Sequence, residues 1–249
     1  MPTLGVIPAR LGSTRLPRKP LQLLAGRPLV LCVMDRVAAF GLFDRLVVAT
    51  EAPEIAELVE AAGGEALLTS AAHETGTERV AEVARTQAGS GYDVVVNVQG
   101  DEPFISRQVV AGAIARVEAG DDVGTAAVPL TGDPADPARV KVVLDARGRA
   151  LYFSRAPIPY RRDQSDGESV EHWQHVGVYA CRRDALLRWV TFCPPPAERA
   201  ERLEQLRALH HGLTIGVALL DEPAGLAIDT PADLARANEL WDAFQKGSR

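Results

Sequence analysis

A basic segment directly after the first apolar run of the chain carries the residue types that bind phosphate. Its four cationic side chains lie within ten residues: Arg10, Arg15, Arg18 and Lys19. Gly12 and the hydroxyls of Ser13 and Thr14 lie between them. Several positive charges, together with backbone amides near a glycine, can hold a triphosphate. The segment follows neither the Walker nor the GxGxxG pattern, so it predicts an anion site of another type, with a solvated basic loop as the alternative.

Asp101 is a candidate magnesium ligand, and Asp229 is a further candidate site residue. Asp101 stands in the stretch from Asn97 to Pro103, which follows the apolar run Val94 to Val96. Mg²⁺ binds few protein carboxylates and takes substrate phosphate oxygens for its other ligands. Asp229 lies two residues before Pro231, at a predicted helix start. The alternatives are a turn with exposed acids at Asp101 and a helix start that Asp229 only supports.

Other metal-binding patterns are weak. His172 and His175 are three residues apart without a nearby cysteine, so they make a poor zinc pair. Cys32, Cys181 and Cys193 are odd in number and show no CxxC spacing. This argues against a disulfide framework or a structural zinc site and indicates inert thiols in a reducing compartment.

The composition excludes several classes of partner. The chain has 249 residues, with 27 Lys and Arg against 33 Asp and Glu, and a net charge of −6. This charge gives no overall attraction to nucleic acid or to an anionic membrane, and 5% aromatic residues are too few for a base-stacking platform. No apolar run reaches the roughly 18 residues of a membrane span, and the N-terminus does not resemble a signal peptide. We expect a cytoplasmic protein that binds neither nucleic acid nor membrane.

Strand-like and helix-like segments alternate through the first half of the sequence. The predicted strands are Thr3 to Pro8, Arg45 to Thr50, Glu65 to Thr69 and Val94 to Val98, and the predicted helices are Pro28 to Phe40, Pro53 to Ala62 and Ser106 to Ala119. Such alternation predicts an α/β fold with a Rossmann-like, mostly parallel sheet. The ligand crevice of such a sheet lies beyond the carboxyl ends of its strands, where the basic segment and Asp101 fall.

A second pattern begins near Val123. Lys141 to Asp145 and Arg149 to Arg155 flank an Ala-Arg-Gly turn, as in an antiparallel hairpin. The polar stretch Asp163 to Ser169 predicts a loop, and Glu171 to Cys181 predicts a further strand. We expect one domain over residues 1–249, with an inserted antiparallel lobe at about 130–190.

Helical character returns towards the C-terminus. The predicted elements are a helix from Glu198 to Leu209, a strand from Thr214 to Leu219 and a helix from Pro231 to Phe244. In the first helix Leu203, Leu206 and His210 share one face, while Glu204 and Gln205 project elsewhere, towards water or a ligand.

Eight stretches, in order along almost the whole chain, form a combination that is far more specific than any one of them. They are residues 7–20 (Ile-Pro-Ala-Arg-Leu-Gly-Ser-Thr-Arg-Leu-Pro-Arg-Lys-Pro), 61–65, 73–79 (His-Glu-Thr-Gly-Thr-Glu-Arg), 96–103, 140–145, 150–155, 203–207 and 229–231. The combination resembles the 3-deoxy-manno-octulosonate cytidylyltransferases. The resemblance implies the nucleotide-diphospho-sugar transferase type of fold and a homodimer, in which the inserted lobe is both the dimerisation element and a lid over the sugar.

The resemblance also implies an activity: magnesium-dependent transfer of CMP from CTP to the anomeric hydroxyl of 3-deoxy-D-manno-octulosonate (Kdo), which releases pyrophosphate and supplies lipopolysaccharide synthesis. By position it assigns the triphosphate to Arg10, Ser13, Arg15 and Lys19, further nucleotide contacts to Gln99 and Arg79, and Mg²⁺ to Asp101 and Asp229. The implied catalytic residues are Lys19, Arg10, Asp101 and Asp229. The implied sugar-acid pocket contains Arg155, His175, Tyr179, Glu204 and Gln205, with Arg155 and His175 as cations for the sugar carboxylate.

Two segments depart from the family pattern. Residues 160–163 read Tyr-Arg-Arg-Asp where the family usually has Trp-Asp-Arg-Asp, and residues 225–227 read Gly-Leu-Ala in place of Gly-Thr-Gly. The first lies beside the implied sugar pocket, so an amino-substituted Kdo stays open as the substrate. Sialic-acid activators tend to carry Gly-Gly-Ser-Lys where residues 11–15 of this chain read Leu-Gly-Ser-Thr-Arg, which disfavours that class. A non-catalytic nucleotide-binding module has no need of two metal carboxylates and is also disfavoured.

Overall fold

The computed structural model describes residues 1–162 and 171–247. The chain divides into two compact units, one of Met1–Arg107 with Gly225–Arg249 and the other of Gln108–Ala224. The predicted lobe at about 130–190 falls within the sequence range of the second unit, and its status as an insertion stays a prediction. The predicted loop from Asp163 to Ser169 lies outside the described residues, as does the last residue of the departing segment 160–163.

Strands and helices alternate along the chain. The strands are β1 (Thr3–Ala9), β2 (Leu23–Leu24), β3 (Arg27–Pro28), β4 (Arg45–Thr50), β5 (Ala66–Leu68), β6 (Val94–Asn97), β7 (Val123–Pro129), β8 (Lys141–Leu144), β9 (Ala150–Ser154), β10 (Trp173–Arg182) and β11 (Ile215–Leu219). The helices are α1 (Leu29–Ala38), α2 (Pro53–Ala61), α3 (Gly76–Arg85), α4 (Arg107–Glu118), α5 (Arg183–Trp189), α6 (Pro196–Glu201), α7 (Gln205–His210) and α8 (Pro231–Gly247). None of the described helices combines the length and the apolar character that a bilayer crossing requires.

The first unit is built on four parallel strands in the order β6-β1-β4-β5. This confirms the predicted α/β class with a mostly parallel sheet. Val94, Val95 and Val96 are fully buried, as expected of a strand covered on both faces. Because the strands are parallel, the segments that leave the carboxyl ends of β1, β4 and β6 start at one edge of the sheet.

The strands of the second unit pair in both parallel and antiparallel orientation. β7 pairs with β11 in parallel and with β10 in antiparallel orientation. β10 also pairs with β8, and β8 and β9 form the predicted antiparallel hairpin, in which Val142 is opposite Phe153. The change of strand pattern that the sequence shows near Val123 therefore corresponds to the start of β7.

The predicted single helix from Glu198 to Leu209 is wrong. The structure has two short helices, α6 and α7, because Arg202 adopts a left-handed conformation with φ of 52° and ends α6. Leu203 and Leu206 are buried, whereas His210 is exposed, so it does not share their face. Gln205 is buried and does not project towards solvent.

The sequence prediction lacked α3, α5 and β7, and also the short strands β2 and β3. The start of α3 had a readable signal in residues Thr75 to Glu78. The Thr75 hydroxyl accepts a hydrogen bond from the Glu78 amide, and the Glu78 carboxylate accepts one from the Thr75 amide, each at 3.2 Å. This reciprocal capping box satisfies two donors of the first turn and begins the helix that carries Arg79.

The three cysteines are free thiols in the structure. Cys32 and Cys181 are buried and Cys193 is exposed. Burial raises the pKa of Cys32 to about 11 and also raises that of Cys181, so both remain protonated and unreactive at neutral pH.

Candidate active site

A cavity of about 640 Å³ lies in the first unit. All eight residues assigned to the nucleotide and the metal line it: Arg10, Ser13, Arg15, Lys19, Arg79, Gln99, Asp101 and Asp229. They come from the segments that follow β1 and β6, from α3 and from the segment before α8. The parallel sheet and the helices that cover it therefore bring together residues far apart in the sequence, as a crevice at the carboxyl edge requires.

Lys19 is fixed by a 3₁₀ helix, Lys19–Leu21, at the end of the basic segment. Pro20 in this helix is buried, and so is Leu16 in the segment before it. Arg18 adopts a left-handed conformation and pairs with Glu54 at 2.5 Å. The apolar anchors and the turn at Arg18 hold the backbone of Lys19 at the cavity wall.

The ammonium of Lys19 contacts both candidate metal ligands. Its Nζ lies 2.5 Å from Oδ2 of Asp101 and 2.9 Å from Oδ1 of Asp229. The guanidinium of Arg15 lies 3.1 Å from the other oxygen of Asp229. Burial alone would lower the pKa of Lys19, but the two carboxylates outweigh it and raise the pKa, so Lys19 stays charged.

Backbone contacts of the segments that carry Asp101 and Asp229 explain why the two side chains lie close together. The amide of Ile228 donates to the carbonyl of Asp101 at 2.9 Å, which ties the segment before α8 to the segment after β6. Asp233 accepts hydrogen bonds from the amides of Asp229 and Thr230, and its own amide donates to the Thr230 hydroxyl, which forms a capping box at the start of α8. Because Thr230 and Asp233 cap this helix, the Asp229 carboxylate is left to face the cations, which disfavours the helix-start alternative.

A third carboxyl group lies next to this pair. Glu102 is half-buried, and its burial together with the negative charges of Asp101 and Asp229 raises its pKa to about 8. At neutral pH the protonated form of Glu102 is therefore favoured, which makes this side chain a poor metal ligand.

The donor set suits magnesium. Both aspartates contact one nitrogen atom, so their oxygens lie close enough together to serve one cation. Mg²⁺ prefers hard carboxylate oxygens and uses one or two of them beside substrate phosphates and water. Among the residues that the structure describes, no cluster of three or more His, Cys, Asp or Glu side chains offers a metal site made of protein ligands alone. A shared site, completed by a phosphate-bearing substrate, is the arrangement that fits.

Glu51 is a residue of the cavity region that the sequence analysis missed. Its Oε1 accepts from the amide of Leu11 at 2.9 Å, and its Oε2 pairs with the buried guanidinium of Arg79, also at 2.9 Å. Arg79 also donates to the hydroxyl of Thr69. Glu51 directly follows β4 at the carboxyl edge of the sheet, and this position could have identified it as a candidate site residue. It links the basic segment to α3.

Gly100 allows the segments after β1 and β6 to approach closely. A Cβ atom at this position would lie 2.7 Å from the carbonyl oxygen of Pro8. No side chain fits there, so the glycine before Asp101 is required by the packing of the cavity wall.

The second unit carries the residues assigned to the sugar acid. The guanidinium of Arg155 donates hydrogen bonds to backbone carbonyls. Its Nε lies 2.7 Å from the carbonyl oxygen of Glu201, and its Nη1 lies 2.7 Å from the carbonyl oxygen of Pro137. The backbone amide of Arg155 donates to the Glu201 carboxylate at 2.9 Å. Glu204 is half-buried at the start of α7, and Gln205 is buried in that helix.

Burial disfavours the positive charge that the resemblance implies for His175. The ring keeps some solvent exposure, but its burial lowers the pKa to about 3, so it is neutral at physiological pH. It lies 3.0 Å from the hydroxyl of Thr125 and packs against the rings of Phe153 and Tyr179. His175 and Tyr179 therefore adjoin each other, and His175 offers a hydrogen bond rather than a charge. Arg155 remains the cation among the residues assigned to the sugar.

The buried amide of Asn97, at the end of β6, allows a test of stability. Asn97 ends β6 with 2% exposure, and neither polar atom of its amide has a hydrogen-bond partner in the described chain. An unpaired buried amide costs about 1–3 kcal/mol. We expect Asn97→Leu, which removes both unpaired atoms at similar volume, to raise the free energy of unfolding by about 1 kcal/mol in urea titrations.

Asn238→Leu is the control for the same substitution at an exposed, hydrogen-bonded asparagine. The Asn238 carbonyl accepts from the amide of Ala25 at 2.8 Å, so its removal should not stabilise the chain. A loss of stability in Asn97→Leu would show that its amide is paired in solution.

The fold and the cavity define the class of the protein: an α/β protein whose cation-lined cavity lies beyond the carboxyl ends of parallel strands. A sequence model of the family described as cytidylyltransferase matches residues 4–215. A 3-deoxy-manno-octulosonate cytidylyltransferase of Gemmatimonas aurantiaca is 53% identical over 248 residues, which cover 98% of this chain and 96% of the relative. A protein of the same name from Yersinia pseudotuberculosis is 43% identical, covering 96% of this chain and 98% of the relative.

A solved structure also shows similarity to these proteins. The structure of CMP:2-keto-3-deoxy-manno-octonic acid synthetase complexed with CTP matches with a TM-score of 0.89 and 37% identity, over 98% of this chain and 99% of the other. The chain belongs to the cytidylyltransferase family, among the 3-deoxy-manno-octulosonate cytidylyltransferases. The resemblance seen in the sequence is confirmed.

Proposed function

We propose that the protein transfers CMP from CTP to the anomeric hydroxyl of Kdo, releases pyrophosphate and so supplies activated sugar for lipopolysaccharide. The observation that carries this proposal is the cavity in which a cationic segment faces two adjacent aspartates. Membership of the 3-deoxy-manno-octulosonate cytidylyltransferases supports the choice of nucleotide and sugar acid. An amino-substituted Kdo is the alternative acceptor, because Arg161 departs from the family pattern.

In the proposed reaction the hydroxyl oxygen on C2 of Kdo bonds to the α-phosphorus of CTP. The bond between the α-phosphorus and its bridging oxygen breaks, pyrophosphate leaves with that electron pair, and the hydroxyl proton passes to solvent. Arg10, Ser13 and Arg15 bind the triphosphate, and they neutralise charge and fix its orientation. Lys19 adds a point charge at the phosphates.

Asp101 and Asp229 hold the metal in this proposal. When bound, Mg²⁺ would supply positive charge to the triphosphate oxygens and help to orient them. Arg79 and Gln99 bind the nucleoside part of CTP. The buried pair of Arg79 with Glu51 holds the guanidinium in place, so this contact is organised before the nucleotide arrives.

The second unit supplies the recognition of the sugar acid. Arg155 pairs with the carboxylate of Kdo, and Glu204 and Gln205 form hydrogen bonds with its hydroxyls. Neutral His175 and Tyr179 contribute hydrogen bonds and ring contacts.

We also propose that the protein is cytoplasmic, because CTP is made inside the cell. We further propose a homodimer, because the hairpin of the second unit has an exposed apolar edge. Within the described residues β9 pairs with β8 alone, and Leu151 of β9 is 62% exposed. Exposed apolar side chains on an edge strand favour association.

The test of the proposed function is release of pyrophosphate from CTP. We expect release only when Kdo and Mg²⁺ are both present, and loss of release when EDTA is added. Parallel reactions with amino-substituted Kdo and with a sialic acid identify the acceptor. No release with any of these acids would overturn the proposal, and a preference for the amino-substituted sugar would change the substrate but not the reaction.

A further inference from the structure

The two aspartates of the cavity already have a cation between them, and it is a side chain of the protein. The Lys19 ammonium lies within 2.9 Å of both carboxylates and is only 17% exposed. Arg15 adds a second positive charge at Asp229, but its side chain is 66% exposed. Lys19 is therefore the better shielded partner and the one that joins both acids.

This position conflicts with a permanent metal site. A cation that took oxygens from both Asp101 and Asp229 would need the space between them, where Nζ of Lys19 lies. An ammonium and a metal ion that both contacted these carboxylates would repel each other strongly, because solvent screening is weak there. The ammonium and the metal therefore exclude each other from the acid pair.

The Lys19 side chain is flexible enough to move its ammonium from the aspartates to a bound phosphate. The backbone of Lys19 is held by the 3₁₀ helix and the buried ring of Pro20, whereas its side chain has four flexible methylene groups. The basic residues around it, Arg10 and Arg15, line the same cavity and attract phosphate to the place that the ammonium can reach. A triphosphate supplies the negative charge that Lys19 loses when it leaves the aspartates.

We propose that Lys19 is an internal counter-ion that keeps divalent metal off Asp101 and Asp229 until a triphosphate binds and draws the ammonium away. The inference rests on the proposed function, since it takes the nucleotide to be CTP. It adds an order of events: the metal binds tightly only together with the nucleotide. By linkage, nucleotide and metal raise the affinity of each other by the same factor.

The test measures metal binding without turnover. Mn²⁺, which prefers the same oxygen ligands as Mg²⁺, is titrated and its free concentration is followed by electron paramagnetic resonance. Wild type and Lys19→Met are each measured without nucleotide and with CTP, always without a sugar acid. We expect Lys19→Met to bind Mn²⁺ at least tenfold more tightly than wild type when no nucleotide is present, and CTP to increase the affinity of the variant less than that of wild type.

Arg18→Met is the matched control. It removes a positive charge one residue away, but that charge pairs with exposed Glu54 and not with the aspartates. Its affinity for Mn²⁺ should stay within about twofold of wild type, well short of the 1.4 kcal/mol of a tenfold change. An equal gain in both variants would show a general effect of net charge and would overturn the proposal.

A double variant ties the effect to the acid pair. Asp101→Asn in the Lys19→Met background should lose the gained affinity, whereas a retained gain would place the metal elsewhere and overturn the inference. Lys19→Gln replaces Lys19→Met if the latter does not fold, as judged by its thermal transition. Unchanged or weaker Mn²⁺ binding in the Lys19 variant would also overturn the inference. The proposed function is tested separately, because it would fail if the wild type released no pyrophosphate.

Discussion

Asp101→Asn is expected to lower kcat/KM for pyrophosphate release by about a thousandfold while the protein stays folded. Loss of a metal ligand removes several kcal/mol of charge stabilisation, and about 4 kcal/mol corresponds to a thousandfold. The asparagine keeps the shape of the side chain but not its charge. Lys19 would keep Asp229 as a partner at 2.9 Å, so no cation is left unpaired.

The stability of this variant should change little for the same reasons. Asp101 is at the cavity wall with a quarter of its side chain exposed, and it fills no space in the core. The midpoint of thermal unfolding should stay within about 3 °C of wild type, which corresponds to less than about 1 kcal/mol for a chain of this size. Asp229→Asn should behave in the same way.

Glu54→Gln is the control for loss of a carboxylate. Glu54 pairs with Arg18, which is exposed, and neither residue lines the cavity. Its kcat/KM should equal that of wild type. If Asp101→Asn kept more than about a tenth of the wild-type value, a loss below the 1.4 kcal/mol of a tenfold change, its assignment as a metal ligand would be wrong.

Local patterns in the sequence were enough to predict the sheet of the first unit. The bounds of β4, Arg45–Thr50, agree with the prediction, and β6 ends one residue earlier than predicted. Short apolar runs rich in β-branched residues and bounded by turn residues favour strands, because helices are usually longer. The rule that parallel strands share their carboxyl edge then places Arg10 and Asp101 together without any tertiary information. The same rule applies to Glu51, which the sequence analysis missed.

Asp229 could not be placed in this way. It is 210 residues from Lys19, and no local pattern shows that they meet. The backbone bond from Ile228 to Asp101 that brings them together is a product of the whole first unit. Before the structure, only the family resemblance gave Asp229 a metal-binding role.

The charge of His175 could not be predicted for a related reason. Its pKa is set by burial, which depends on Thr125 of β7, Phe153 of β9 and Tyr179 further along β10. These neighbours come from three strands. Likewise, the break between α6 and α7 falls at Arg202, which is not a residue type that favours a left-handed conformation.

Arg155 is the residue on which the sugar prediction depends, and its hydrogen bonds leave capacity for a ligand. A guanidinium has five N–H donors. Three contact the carbonyls of Glu201, Pro137 and Arg202. One N–H on each of the two terminal nitrogens remains beyond these contacts, and two such donors match a carboxylate. The backbone of Arg155 is also held, because buried Lys141 donates to its carbonyl and the Glu201 carboxylate accepts from its amide.

We therefore expect Arg155→Ala to raise the KM for Kdo about a hundredfold and the KM for CTP less than threefold. Removing one partner of a hydrogen-bonded charge pair costs about 2–5 kcal/mol, and a hundredfold corresponds to about 2.7 kcal/mol. Arg155→Lys keeps the charge but loses the paired donors, so it should lie between wild type and Arg155→Ala. Steady-state kinetics with each substrate varied in turn gives both constants.

Two further measurements separate binding of the sugar from a structural role of Arg155. Arg188→Ala removes another arginine of the second unit, one that is 54% exposed and pairs with Asp122, and it should leave both KM values unchanged. The guanidinium of Arg155 also ties three backbone carbonyls, so Arg155→Ala should lower the unfolding temperature as well. A lower unfolding temperature with an unchanged KM for Kdo would show that Arg155 only holds the loop together. In that case the sugar carboxylate must be bound by another cation.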